Sequence, residues 1–152
     1  MGAVASGGVR VLNEETVRGL GIPDRAVDAV AARELQELAR REHAYRDQRP
    51  PIDVSGKTVI LVDDGLATGS TMLAAIRALR RQQPARIVVA APVGSPDTCD
   101  QLAKEADEVV CAVTPEPFHA VGLWYQDFSQ TTDEEVRDLL SRSARDAAHQ
   151  AR

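Results

Sequence analysis

Cysteine is nearly missing from this chain, with two residues in 152. Cys99 and Cys111 stand twelve apart, no CxxC unit occurs, and no histidine lies at ligand spacing, so neither a zinc site nor a disulfide framework is expected. Both are read as small buried residues. A surplus of positive charge is missing too: 18 Lys and Arg against 23 Asp and Glu give a formal charge of -5. A nucleic-acid or membrane-surface protein would show a concentrated basic face, so neither class is expected. The densest basic clusters, Arg40–Arg41 and Arg77–Arg80–Arg81, read as solvated helix faces. No apolar stretch approaches the roughly 20 residues that span a bilayer, and the sequence does not open with a basic segment and apolar run. A reducing cytoplasm is the default location.

What is present suits one domain, since 43% hydrophobic residues supply an ordinary core. The expected domain covers residues 1–145, with residues 146–152 as a polar tail frayed from about Ser143. Residues 2–6 and 9–12 read as extended pieces joined at Gly7–Gly8, a pair that tolerates a hairpin turn. Asn13 can cap a short helix with Glu14 and Glu15 in its first turn. From Asp24, the residues Val27, Val30, Leu35, Leu38 and Tyr45 form a helical stripe predicting a long helix to about Arg46, before Pro50–Pro51.

Residues 58–62 form a run of four β-branched residues and Leu61, apolar after Thr58, the pattern of a central parallel strand buried on both faces. A helix is predicted over 68–82 with Met72, Ala75, Ile76 and Leu79 inward. The unit repeats as a strand at 86–91, a helix at 96–105 and a strand at 108–113, which predicts a parallel α/β sheet with right-handed crossovers. Residues 114–129 read as irregular and hold most of the few aromatics. The last helix starts at a capping box of Thr132 and Glu135.

The chemistry is concentrated in VILVDDGLATGST, residues 59–71. In an open parallel sheet, ligands bind beyond the carboxyl ends of strands, where Asp63 and Asp64 stand. The following Gly65, Leu66, Ala67, Thr68, Gly69, Ser70 and Thr71 combine small residues and hydroxyls directly before a helix. Such a loop closes backbone N–H groups around a phosphate at the positive helix end. Two carboxylates would repel a phosphate; they suit the vicinal hydroxyls of a ribose, each accepting a charge-assisted hydrogen bond. Acids and cradle one sugar apart match ribose 5-phosphate. A Walker loop is excluded because no Lys precedes the hydroxyl residue, and a receiver domain has no phosphate loop after its aspartates.

This segment resembles the phosphoribosyl-pyrophosphate (PRPP) motif of type I phosphoribosyltransferases: a hydrophobic strand, two acids and a TGxT-like close. Asp63 and Asp64 match the catalytic ribose-hydroxyl acids, and Gly65, Ala67, Thr68, Gly69, Ser70 and Thr71 match the 5-phosphate loop. Nearly the whole chain is similar to a bacterial, chiefly actinobacterial, subgroup sharing GAVASGGVRVLNEE, RREHAYR and WYQDFSQTTDEEV, sometimes fused to hydrolase domains. The resemblance implies a mainly parallel sheet flanked by helices, with an N-terminal hairpin and a C-terminal helix. It implies transfer of phosphoribose from PRPP to a nitrogenous base, with Mg2+ bridging pyrophosphate and ribose oxygens and engaging Asp63 and Asp64. Arg41 and Arg46, at the polar end of the long helix, match the mobile segment that clamps pyrophosphate. Phe118, Trp124, Tyr125 and Asp127 match the segment that meets the base.

The departure is upstream. Family members carry a strand, a pyrophosphate-binding loop and a helix before the hairpin, and Ser6–Gly7–Gly8 leads instead into an extended piece. The expectation is therefore a domain incomplete at its N-terminus: a fragment, a shortened product or one completed by another subunit. The alternative function is a non-catalytic or regulatory module that keeps the PRPP or nucleotide site, or a part of a larger fused enzyme. An edge exposed by absent strands is expected to pair in a homodimer.

Overall fold

A computed structural model describes residues 2–46 and 52–150, with side-chain surroundings for 2–45 and 52–146. The chain opens with strands β1 (Gly2–Ala5) and β2 (Val9–Leu12), paired antiparallel from Gly2↔Leu12 to Ala5↔Val9. Gly7 and Gly8 turn between them at φ 76 and 73, a region L side chains rarely adopt. Asn13 caps α1 (Glu14–Gly19) by accepting from the Thr16 amide at 2.8 Å. Helix α2 (Asp24–Arg46) follows as expected, although Val30 and Leu35 on its stripe stay exposed.

The second sheet contains β3 (Thr58–Val62), β4 (Arg86–Val93) and β5 (Glu108–Val113), all parallel in the order β3-β4-β5. Helix α3 (Ser70–Arg80) connects the first pair, and α4 (Pro96–Leu102) the second. Both helices are shorter at their ends than the sequence predicts, and β4 runs two residues further. Sheet and helices close over Leu66, Met72, Ile76, Ile87, Val89, Ala91 and Leu102. Ala74, rather than Ala75, is the fully buried alanine of α3. The hairpin packs on α3 through buried Val9 and Val11, and α2 packs on the hairpin.

The reading of β3 as a central strand buried on both faces is corrected. It is an edge strand among the described residues, and Ile60 and Val62 on its second face are 62% and 75% exposed. α3 and α4 cover one face of the sheet; an apolar run records the capacity to be buried twice, not the presence of a second layer.

Cys99 and Cys111 are free and half-buried, with their sulfurs 2.8 Å apart. Burial and the neighbouring Cys99 push the Cys111 thiol up to about 12. After β5, a single 3-10 turn (Val121–Trp124) interrupts the irregular segment. Helix α5 (Asp133–Gln150) starts at the expected box: the Glu135 carboxylate accepts from the Thr132 amide at 2.7 Å, and the Thr132 hydroxyl accepts from the Glu135 amide at 3.3 Å. Helical backbone continues past Ser143, where fraying was expected; Arg142, Ala144, Arg145, Ala147 and Ala148 are strong helix formers. Residues 151–152 of the expected tail lie outside the described residues. Among the described residues, no helix is long and apolar enough to cross a membrane.

Candidate functional site

β3 delivers Asp63 and Asp64 to the carboxyl end of the sheet, with the Asp63 amide still bonded to the Ala90 carbonyl of β4 at 3.2 Å. The Asp63 carboxylate turns back to accept from the Asp64 amide at 3.0 Å, while Asp64 stays exposed. Burial lifts the Asp63 carboxyl above its ordinary range, the Asp64 charge adds to that, and the Asp64 amide opposes it. A site that raises the cost of its own negative charge favours a hydroxyl donor or a cation nearby.

The loop beyond the acids is anchored from beneath. Leu66 is 1% exposed and forms an isolated parallel bridge with Gly94; its amide donates to Val93 and its carbonyl accepts from Ser95, both at 2.9 Å. The buried Thr98 hydroxyl donates to the Ala67 carbonyl at 2.7 Å. Gly69 is the N-cap of α3 at φ 65, and among the described residues no side chain caps that helix. The amides of Ser70, Thr71 and Met72 therefore begin the helix without a capping acceptor, with the Thr68 and Ser70 hydroxyls 3.3 Å apart beside them. Thr71 is exposed in the same turn. Uncapped amides at the positive end of a helix can receive an anion.

Sequence reasoning missed Leu66 and Thr98 as the residues that hold the cradle. Ser95 before Pro96 was the available signal, because Ser95 caps α4 and so presents Thr98 to Ala67.

The aromatic segment closes over the acids from the other side. The Tyr125 hydroxyl donates to the Asp64 carbonyl at 2.6 Å, and its ring lies 5.2 Å from that of Phe128. Gly65 is pressed by Val121, whose Cγ1 would lie 2.5 Å from any added Cβ. Phe118 is half-buried, Trp124 is exposed, and Asp127 accepts from the Ser129 amide at 2.9 Å within its own turn. Arg41 lies elsewhere in the chain's polar contacts: its guanidinium meets Glu37 at 2.7 Å in a cluster where Arg40 and Tyr45 hold Asp133 of α5. The side chain of Arg46 lies outside the described residues. Among the described residues, no three His, Cys, Asp or Glu side chains gather as a metal cage.

A family model described as the phosphoribosyl transferase domain matches residues 3–125. A Mycobacterium tuberculosis H37Rv protein bearing the name of a phosphoribosyl transferase is 44% identical over 147 residues, covering 97% of this chain and 33% of that protein. The chain thus spans about a third of that relative's length. The bifunctional protein PyrR of Chloroflexus aurantiacus is 41% identical over 73 residues, 47% of this chain and 40% of that protein. The crystal structure of TT1426 from Thermus thermophilus superposes with a TM-score of 0.71 at 41% identity, covering 91% of this chain and 65% of that one.

Proposed function

Since the chain belongs to the phosphoribosyl transferase domain family, we propose that its Asp63–Thr71 segment binds PRPP and that the activity is transfer of phosphoribose to a nitrogenous base, releasing pyrophosphate. The observation that carries this reading is the succession of two carboxylates and an uncapped, glycine-started helix at one strand end. Asp63 and Asp64 take the ribose 2- and 3-hydroxyls. Gly65, Ala67, Thr68, Gly69, Ser70 and Thr71 surround the 5-phosphate with amides and hydroxyls.

Mg2+ fits this arrangement as a companion of the substrate. Asp63 and Asp64, the former unfavourably charged through burial, would supply hard oxygen ligands, and the ion would need further ligands from substrate and water. When bound, the ion neutralises charge on the departing pyrophosphate. Arg41 and Arg46 would assist on that side if the end of α2 swings toward the site, which requires Arg41 to leave Glu37. Phe118, Trp124, the Tyr125 ring and Asp127 form the base side, with stacking faces and one acceptor for a ring N–H. The setting is a reducing cytoplasm, where both thiols persist.

The test is calorimetric titration with PRPP and Mg2+, followed by detection of pyrophosphate with a panel of bases. Binding by the unmodified chain that Asp63→Asn/Asp64→Asn abolishes is expected; no binding, or equal binding by both, would sink the reading. Binding without pyrophosphate release would favour the regulatory module. A homodimer through the uncovered edge and face of β3 is part of the same proposal. Sedimentation as a monomer at micromolar concentration would count against it.

A further inference from the structure

The acid pair and the aromatic segment are far apart in sequence, yet they meet in one specific bond. Tyr125 follows the 3-10 turn, 61 positions beyond Asp64, and its hydroxyl donates to the Asp64 main-chain carbonyl at 2.6 Å. The acceptor is the peptide oxygen between Asp64 and Gly65, on the carbon bonded to the Cα that carries the Asp64 side chain. Two further contacts make the arrangement over-determined. Val121 lies so close to Gly65 that a Cβ there would meet its two methyls at 2.5 and 2.7 Å. Phe128 backs the Tyr125 ring, and Gly122 is packed on Phe128 so closely that a Cβ would meet its ring at 2.9 Å.

We infer that Tyr125 is a positioning residue, whose hydroxyl fixes the Asp64 peptide and thereby the direction of the Asp64 carboxylate. Asp63 is held by its own bond to the Asp64 amide, so the same residue's main chain governs both acids. The aromatic segment therefore does more than line the base side: it aims the sugar-binding acids. This inference rests on the ribose-phosphate reading for its consequence, though not for its geometry.

Tyr125→Phe keeps the ring against Phe128 and removes the donor alone. Two readouts separate the inference from the reading it builds on. In the free protein, the Gly65 amide nitrogen and the Asp64 carboxyl carbon are followed by NMR; both resonances are expected to move in Tyr125→Phe while the melting temperature stays close to that of the unmodified chain. An unmoved Asp64 carboxyl resonance overturns the inference whether or not PRPP binds. In titrations with PRPP and Mg2+, affinity is expected to fall about three- to tenfold, the range of one net hydrogen bond. In an Asp64→Asn background, the same change should lower affinity by less than it does in the unmodified chain, because only the Asp63 part of the effect is left. Unchanged affinity in Tyr125→Phe beside lost affinity in Asp64→Asn also overturns it. Moved resonances in a chain that never binds PRPP would uphold the positioning role and sink the ribose-phosphate reading instead.

Discussion

Replacing Gly69 with alanine tests the cradle through two separable costs. Gly69 stands at φ 65, where an L side chain loses roughly 1–2 kcal/mol against its following carbonyl. The new Cβ would also lie 2.7 Å from the Thr98 Cγ2 methyl, well inside the ordinary contact distance. Thr98 is buried and tied to Ala67, so it cannot simply swing away, and overpacking of this kind costs about 1–3 kcal/mol. The reduced freedom of the unfolded chain offsets about 0.4–1 kcal/mol. The net loss is about 1–4.5 kcal/mol, or about 2–18 °C in Tm for a domain of this size. Thr98→Ser in the same background removes the clashing methyl and keeps the hydroxyl bonded to Ala67. It should recover the overpacking part, about 1–3 kcal/mol, and leave the φ cost in place. Chemical denaturation of the two single variants and the double variant measures the coupling. An unchanged Gly69→Ala midpoint, or additive effects in the double variant, would refute the tight approach of α4 to the loop.

Other perturbations reach the core, the acids and the helix pair. Ile76 is fully buried between α3 and the sheet, and Ile76→Ala should cost about 2–5 kcal/mol in denaturant unfolding; a loss below about 1 kcal/mol would show that the site collapses or is not core. Asp63→Asn should raise Tm at pH 7, because the raised carboxyl pKa means that ionisation of Asp63 opposes folding there. That advantage is absent below the unfolded carboxyl pKa and develops as pH rises through the folded value, so an equal gain at pH 3 and pH 7 would contradict it. Glu37 is held down to about 2 by the Arg40 and Arg41 guanidiniums, and Asp133 is lowered by Tyr45 and Arg40. Both contribute stability above the ordinary carboxylate range that is lost as pH falls toward 2. Protection factors of the α5 amides, taken against the intrinsic exchange rate at each pH, should therefore fall in acid, and Glu37→Gln should flatten that dependence.

Local chemistry carried much of the fold into view. Gly7–Gly8, the Asn13 cap, the Thr132–Glu135 box and the alternation of strands with helices each depend on residues within a few positions of one another, and each is found in the structure. The order of acids, small residues and hydroxyls in residues 59–71 is likewise local, and the strand, loop and helix it implied are present. Contacts between remote segments left no comparable mark. The Leu66–Gly94 bridge, the Thr98 bond to Ala67 and the Tyr125 bond to Asp64 join positions 28, 31 and 61 residues apart. A leucine inside a polar loop, a threonine in a short helix and a tyrosine in an irregular segment have many uses until packing selects one.

The exposure of β3 belongs to the same class. Its composition determined that it would be a strand with apolar faces, because β-branched residues fit the pleat whichever layer covers them. Whether one face or two would be covered was decided by where α3 and α4 pack, and among the described residues they leave Ile60 and Val62 open. The sequence by itself therefore determined the acids, small residues and hydroxyls of the candidate site and the turn that presents them. Only the tertiary structure decided how they are held, since Leu66, Thr98 and Tyr125 act through main-chain carbonyls and amides, which every residue type carries.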